Sequence, residues 1–176
     1  MRFTPTPLPG VIEIAAQPHS DDRGSFARIY CREEFAGAGI AFHPIQVSLS
    51  SNLRAHTLRG LHYQRAPQAE AKLMRCVAGR VWDVAVDRRP GPGYGAWFGV
   101  ELSAERMNAV FLPEGMAHGF LTLTDGAVVQ YQMDRVYVPG HAAGYRWDDP
   151  ALAIDWPAQP VVIAEADLRW PDFPDG

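Results

Sequence analysis

Three polar islands interrupt otherwise strand-like apolar sequence: Arg59-Gly60-Leu61-His62-Tyr63-Gln64, the lysine at Lys72, and Pro113-Glu114-Gly115-Met116-Ala117-His118-Gly119-Phe120. Side chains on a strand alternate between its faces, so His62, Lys72 and His118 can point into one interior. An imidazole titrates at about pH 6.5 and is a natural general base near neutrality. An inward ammonium stabilises a developing oxyanion or enolate, a large effect in a dry site. A base, a fixed cation and a second imidazole in one cavity suit abstraction of a proton next to a carbonyl.

Each residue also has a plainer reading. A lone strand histidine is more often a satisfied core or surface residue, and a strand lysine usually points to solvent. Against that, Leu73, Met74 and Cys76 make the strand of Lys72 read as buried on both faces. Tyr131, in Val-Val-Gln-Tyr-Gln-Met, is by itself most simply a core aromatic; at a pocket wall its phenol can deliver a proton. Tyr137, six residues on, shares its face by alternation and offers a stacking surface for a flat ring. Asp21-Asp22-Arg23-Gly24-Ser25-Phe26 reads as a solvated turn running into a strand, yet Arg23 and Arg59 are bidentate donors suited to phosphates.

The elements that must hold these groups are short apolar runs punctuated by Gly and Pro. Strands are predicted over Val11–Ala15, Ser25–Tyr30, Pro44–Leu49, Thr57–Gln64, Lys72–Ala78 and Arg80–Asp87. Ala96–Ser103, Ala109–Leu112, Gly119–Thr124 and Ala127–Tyr137 follow. Gly79-Arg80 reads as a tight hairpin turn, and Thr124-Asp125-Gly126-Ala127 as a second turn. Arg32–Ala38 and Ala164–Leu168 are predicted short helices. Many short strands predict a sandwich or small barrel with a ligand cavity lined by every second residue. By that period Gly60, His62 and Gln64 share a face, as do Lys72, Met74 and Cys76. His118, Phe120 and Thr122 form a third such set, and Val129, Tyr131 and Met133 a fourth.

The chain has 176 residues, 47% of them hydrophobic and 20% charged, which fits one soluble domain. A net charge of -4 gives the whole molecule no attraction for nucleic acid. Two cysteines, Cys31 and Cys76, make no disulfide framework, and Cys76 reads as a small buried side chain. The proline-interrupted N-terminus, Met1 to Ala16, has neither a signal-peptide core nor a membrane span, so a cytoplasmic location is expected.

The Pro113-x-Gly115-x-x-His118 spacing looks like the second half of the cupin signature. Metal-binding cupins add His-x-His and a Glu seven residues before a Gly. Here those places read His62-Tyr63-Gln64 and Lys72, and a cation opposes a divalent ion, so no metal is expected.

Over nearly its whole length the chain resembles the dTDP-4-dehydrorhamnose 3,5-epimerase family of cupin-like sugar-nucleotide enzymes. The resemblance is carried by Asp-x-Arg-Gly-x-Phe at 21–26, Arg-Gly-Leu-His-Tyr-Gln at 59–64 and Lys-Leu-Met-Arg-Cys-Val-Ala-Gly at 72–79. Further pieces are Asp-Val-Ala-Val-Asp at 83–87, Pro-Glu-Gly-Met-Ala-His-Gly-Phe at 113–120, Tyr131 to Tyr137, and Trp147-Asp148-Asp149-Pro150 to Asp155-Trp156-Pro157. It implies an all-β, cupin-type jelly-roll barrel with a few short helices. One domain is expected, whose N-terminal arm, about residues 1–30, contributes to a homodimer interface.

The implied substrate is a nucleotide-linked 4-keto-6-deoxyhexose, with no cofactor. By this resemblance His62 is the base, Asp167 its partner carboxylate, Lys72 the stabiliser of the C4 enolate and Tyr131 the acid on the opposite face. Arg59 and His118 hold substrate, Gln46 and Ser48 lie in the family's Gln-x-Asn segment, and Tyr137 stacks on the base. Arg23 and Phe26 come from the neighbouring subunit. Departures fall at Arg28, at Ser48, at one extra residue between Ser50 and Thr57, at Glu70, and at Pro139-Gly140-His141-Ala142. They leave the catalytic set intact and bear on which sugar, which nucleotide, and whether C3 alone is inverted. A 3,4-ketoisomerase, a non-catalytic sugar-nucleotide-binding cupin and a metal-dependent oxygenase are the competing readings.

Overall fold

The structure, a computed structural model, describes residues 1–174. Its strands are β1 (Arg2–Pro5), β2 (Ile12–Ala15), β3 (His19–Asp21), β4 (Gly24–Phe26), β5 (Gln46–Ser51), β6 (Thr57–Gln64), β7 (Lys72–Ala78) and β8 (Arg80–Asp87). Then come β9 (Trp97–Ser103), β10 (Asn108–Leu112), β11 (Met116–Thr122), β12 (Val128–Met133), β13 (Ala142–Gly144) and β14 (Val162–Ile163). One helix, α1 (Arg32–Gly37), and two 3-10 turns, Pro139–His141 and Asp167–Arg169, complete the described chain.

The first sheet has the order β1-β2-β10-β7-β12-β5, and the second β13-β6-β11-β8-β9 with β14 beside β6. Met74, Cys76, Val110, Leu112 and Val129 from the first meet Val81, Ala85, Leu102, Met116 and Phe120 from the second in one core. This is the all-β, two-sheet, cupin-like arrangement expected. Outside the first sheet, α1 sets Phe35 with Phe42 over Ile14, Leu73 and Phe111. Outside the second, the C-terminal segment packs Leu152 and Phe173 on Leu61, Val84 and Val86. Arg75, on the outer face of β7, donates to the carbonyls of Met107 and Ile29, and burial lowers its guanidinium to about 10.

Several expectations need correction. Gly79-Arg80 is not a hairpin turn: β7 pairs with β10 and β12, whereas β8 pairs with β9 and β11. One residue separates the two strands, too few for a two-residue hairpin, and Gly79 (φ 68°) carries the chain from one sheet to the other. The predicted strand over Ser25–Tyr30 shrinks to β4, whose hairpin with β3 joins neither sheet. The predicted helix over Ala164–Leu168 is only the 3-10 turn Asp167–Arg169. Pro171 disfavours helical backbone at Trp170, which is extended (ψ 145°). The last long strand stops at Met133, where the Asp134 carboxylate turns back to accept from the Ala71 N–H at 2.9 Å.

The most consequential departure is in β6. His118 pairs with His62, but Phe120 pairs with Arg59, so three steps along β6 oppose two along β11. This bulge breaks the alternation. It separates Gly60 from the face of His62 and Gln64 and brings Arg59 onto it instead. Gly60 allows the bulge because its φ is 125° and a Cβ there would stand 2.5 Å from Gly119 Cα and 2.7 Å from the His118 carbonyl oxygen.

Candidate active site

A cavity of about 380 Å³ opens between the sheets. Arg59, His62, His118 and Phe120 line it from β6 and β11, and Lys72, Met74, Tyr131 and Met133 from β7 and β12. Tyr137 enters from the segment after β12, and Asp167 and Trp170 from the C-terminal turn and its end. A mostly apolar hollow with a few convergent polar groups is the usual form of a small-molecule site.

His62 and Asp167 form a dyad. His62 Nε2 lies 2.6 Å from Asp167 Oδ1, while Asp167 Oδ2 accepts from the Gly60 N–H at 3.2 Å. The imidazole is 42% exposed and the carboxylate 8%, so the carboxylate is sheltered behind the imidazole. A carboxylate in that place fixes the ring's orientation and favours the imidazolium formed when the other nitrogen takes a proton.

Burial alone would push the Asp167 carboxyl up. The hydrogen bond and charge of His62, with the N–H groups of Gly60 and Trp170, outweigh it and hold the group below its ordinary value. Its folded value therefore lies below its unfolded one. The stability it confers is full above the ordinary carboxylate range and is lost as pH falls through the lowered value. The gap in urea midpoint between the wild-type protein and Asp167→Asn is expected to be widest near neutrality and to shrink as pH drops below about 4.

Lys72 crosses the cavity from the other sheet. Its Nζ is 2.9 Å from Glu70 Oε1 and donates to the His62 carbonyl at 3.4 Å. Opposite, His118 Nε2 lies 2.9 Å from Asp83 Oδ2, in a second histidine–carboxylate pair that is more deeply buried than the first. The site thus presents a carboxylate-backed imidazole, a largely buried ammonium, a second oriented imidazole and a phenol.

The structure brings together His62, Lys72, Tyr131, Asp167, Arg59, His118 and Tyr137. Gln46 and Ser48 do not line the cavity: Gln46 Oε1 instead accepts from the Tyr137 N–H at 2.9 Å, fixing where that ring enters. Arg23 and Phe26 lie outside it as well. Arg23 pairs with Asp21 on the free hairpin, and Phe26 is 76% exposed there. Sequence reasoning did not foresee three supports: Glu70 as the partner of Lys72, Asp83 behind His118, and Trp170 behind Asp167. Asp83 had a signal, a lone acid on the inward face of an apolar strand. Trp170 had none.

The family model for dTDP-4-dehydrorhamnose 3,5-epimerase matches residues 5–175. The chain belongs to this family. Among its epimerase-family relatives, the dTDP-4-dehydrorhamnose 3,5-epimerase of Methanothermobacter thermautotrophicus is 40% identical over 173 residues, covering 96% of this chain and 92% of that one. The dTDP-4-dehydrorhamnose 3-epimerase of Streptomyces niveus is 38% identical over 169 residues, covering 95% and 81%. A dTDP-6-deoxy-D-glucose-3,5-epimerase from Legionella pneumophila, solved in complex with dTDP-4-keto-L-rhamnose, superposes with a TM-score of 0.92. It shares 33% identity with this epimerase-family chain and covers 97% of it and 92% of its own.

Proposed function

We infer that the protein is an isomerase that epimerises a nucleotide-linked 4-keto-6-deoxyhexose at C3, or at C3 and C5, without a cofactor. The observation that carries this reading is the convergence of a carboxylate-backed imidazole from one sheet and a phenol from the other, with a lysine from the phenol's sheet reaching the His62 carbonyl. The names of the relatives and the sugar nucleotide bound by the Legionella enzyme support the substrate class.

His62 takes the proton from C3, alpha to the C4 ketone, and becomes an imidazolium paired with Asp167. The electron pair moves onto O4, and Lys72 hydrogen-bonds the enolate oxygen. Tyr131 then gives its proton to C3 from the opposite face, which inverts the carbon and leaves a phenolate. Solvent restores both groups, and C5 reacts in the same way where it is also inverted. Arg59 and His118 hold the substrate, Arg23 of the neighbouring subunit engages the diphosphate, and Tyr137 stacks on the nucleotide base.

The active form on this reading is a homodimer in the cytoplasm. Edge strand β5 and the residue before it expose Ile45 (63%), Val47 (58%) and Leu49 (64%) in an apolar stripe. The hairpin carrying Arg23 and Phe26 is free of its own cavity, as a group destined for a neighbour's site would be. Light scattering is expected to give twice the chain mass of 19.4 kDa. A cytoplasmic location suits the two free cysteines, and among the described residues no helix is long and apolar enough to cross a membrane.

The role split is tested with Tyr131→Phe. Wash-in of deuterium at C3 should persist, because His62 still removes the proton, while inversion falls by about 10²-fold or more. Inversion at the wild-type rate would show that another group supplies the second proton.

A further inference from the structure

Trp170 stands directly behind the dyad. Its indole Nε1–H donates at 3.2 Å to Asp167 Oδ1, the same oxygen that lies 2.6 Å from His62 Nε2. Its ring packs edge-on to the His62 ring, with centroids 6.2 Å apart. The position is tightly fixed. Gly144 pairs with His62 across the sheet, and a Cβ on Gly144 would stand 2.7 Å from the indole Cε2, so the ring lies on bare backbone. The Trp170 backbone is extended ahead of Pro171, which aims the indole back over the turn that carries Asp167.

We propose that Trp170 is a positioning residue that shares Asp167 Oδ1 with His62 and so tempers the pull of the carboxylate on the imidazole. This rests on His62 being the base. A carboxylate oxygen shared between two N–H donors offers each less negative charge than it would offer one alone. With the indole N–H removed, Oδ1 is left to His62, the imidazolium is favoured, and a larger share of the enzyme begins each cycle already protonated.

The other charged and titratable groups around the dyad are set apart from this bond. Lys72 reaches the His62 carbonyl and is paired with Glu70, and His118, across the strand, is paired with Asp83. Arg59 donates to Asn52, and Tyr63 is engaged with Tyr145. Tyr131 is on the facing sheet. On the turn itself, Arg169 pairs outward with Glu165. None of them bonds to Trp170, so their contributions cancel when the wild-type protein and a Trp170 variant are compared.

The variant is Trp170→Phe, which keeps an aromatic ring over Gly144 and loses only the donor. NMR titration of the His62 ring is expected to show a midpoint about half a pH unit higher than in the wild-type protein. The acid limb of kcat/KM should move with it, lowering the rate about threefold on that limb and restoring it at higher pH, a rescue that damaged packing would not show. A midpoint that is unchanged or lower overturns the proposal. The ring titration does not depend on turnover, so it separates failure of this inference from failure of the epimerase reading, in which the wild-type protein would turn over no 4-keto sugar nucleotide. Should Trp170→Phe not fold, the wild-type protein still decides: the Trp170 indole N–H resonance must titrate with the midpoint of His62, and an indole signal flat through that titration overturns the proposal.

Discussion

Replacing His62 by alanine is expected to lower turnover of a 4-keto-6-deoxyhexose nucleotide by about 10²- to 10⁴-fold, the usual contribution of a positioned general base. The fold should survive. The imidazole is 42% exposed, and Asp167 keeps the N–H groups of Gly60 and Trp170 when it is gone. The thermal midpoint should therefore move by only a few degrees while exchange at C3 nearly disappears. On the proposed roles Asp167 works through His62, so adding Asp167→Asn to His62→Ala should cost little further activity, as expected for residues that act as a unit. Loss of turnover matched by a comparable loss of folded protein would instead make His62 a structural residue.

Lys72→Met is expected to cost about 10²- to 10³-fold in kcat, the range seen when one oxyanion donor is removed. This substitution confounds chemistry with stability, because Lys72 and Glu70 are a buried pair with side chains 12% and 4% exposed. Removing one partner strands the other charge and destabilises by about 3–5 kcal/mol. Among the described residues the second oxygen of Glu70 already lacks a hydrogen-bond partner, so the stranded carboxylate would gain no ready compensation. Glu70→Gln combined with Lys72→Met removes both charges and should recover most of the unfolding free energy without recovering turnover. If stability and rate came back together, Lys72 would matter for packing alone, and the enolate would need another stabiliser.

Period-two alternation was enough to place Lys72, His118 and Tyr131 on inward faces, because β7, β11 and β12 are regular where those residues stand. It failed in β6, where the bulge at Gly60 puts Arg59 and His62 on one wall although they are an odd number of residues apart. A bulge is set by what presses on the backbone from a neighbouring strand, here Gly119 and the His118 carbonyl, and no local pattern encodes that. Asp167 lies 105 residues from His62 along the chain and arrives on an irregular turn. Only the family resemblance could bring it forward. Trp170 escaped even that, since its link to Asp167 is a single hydrogen bond made once the C-terminal segment lies over β13. Glu70 stood out as a departure from the family pattern, but its pairing with Lys72 depends on how the chain bends into β7. The free hairpin is the reverse case. Its Arg23 and Phe26 were legible as a motif, but within one chain Arg23 meets Asp21 of its own hairpin and Phe26 stays exposed, both away from the cavity.

The most direct test of proton abstraction beside a ketone is incubation in D2O with a nucleotide-linked 4-keto-6-deoxyglucose, followed by NMR assignment of the labelled carbons. Deuterium is expected at C3, or at C3 and C5, with inverted configuration at each labelled carbon and the carbonyl still at C4. No deuterium at either carbon, or a carbonyl moved to C3, would contradict it.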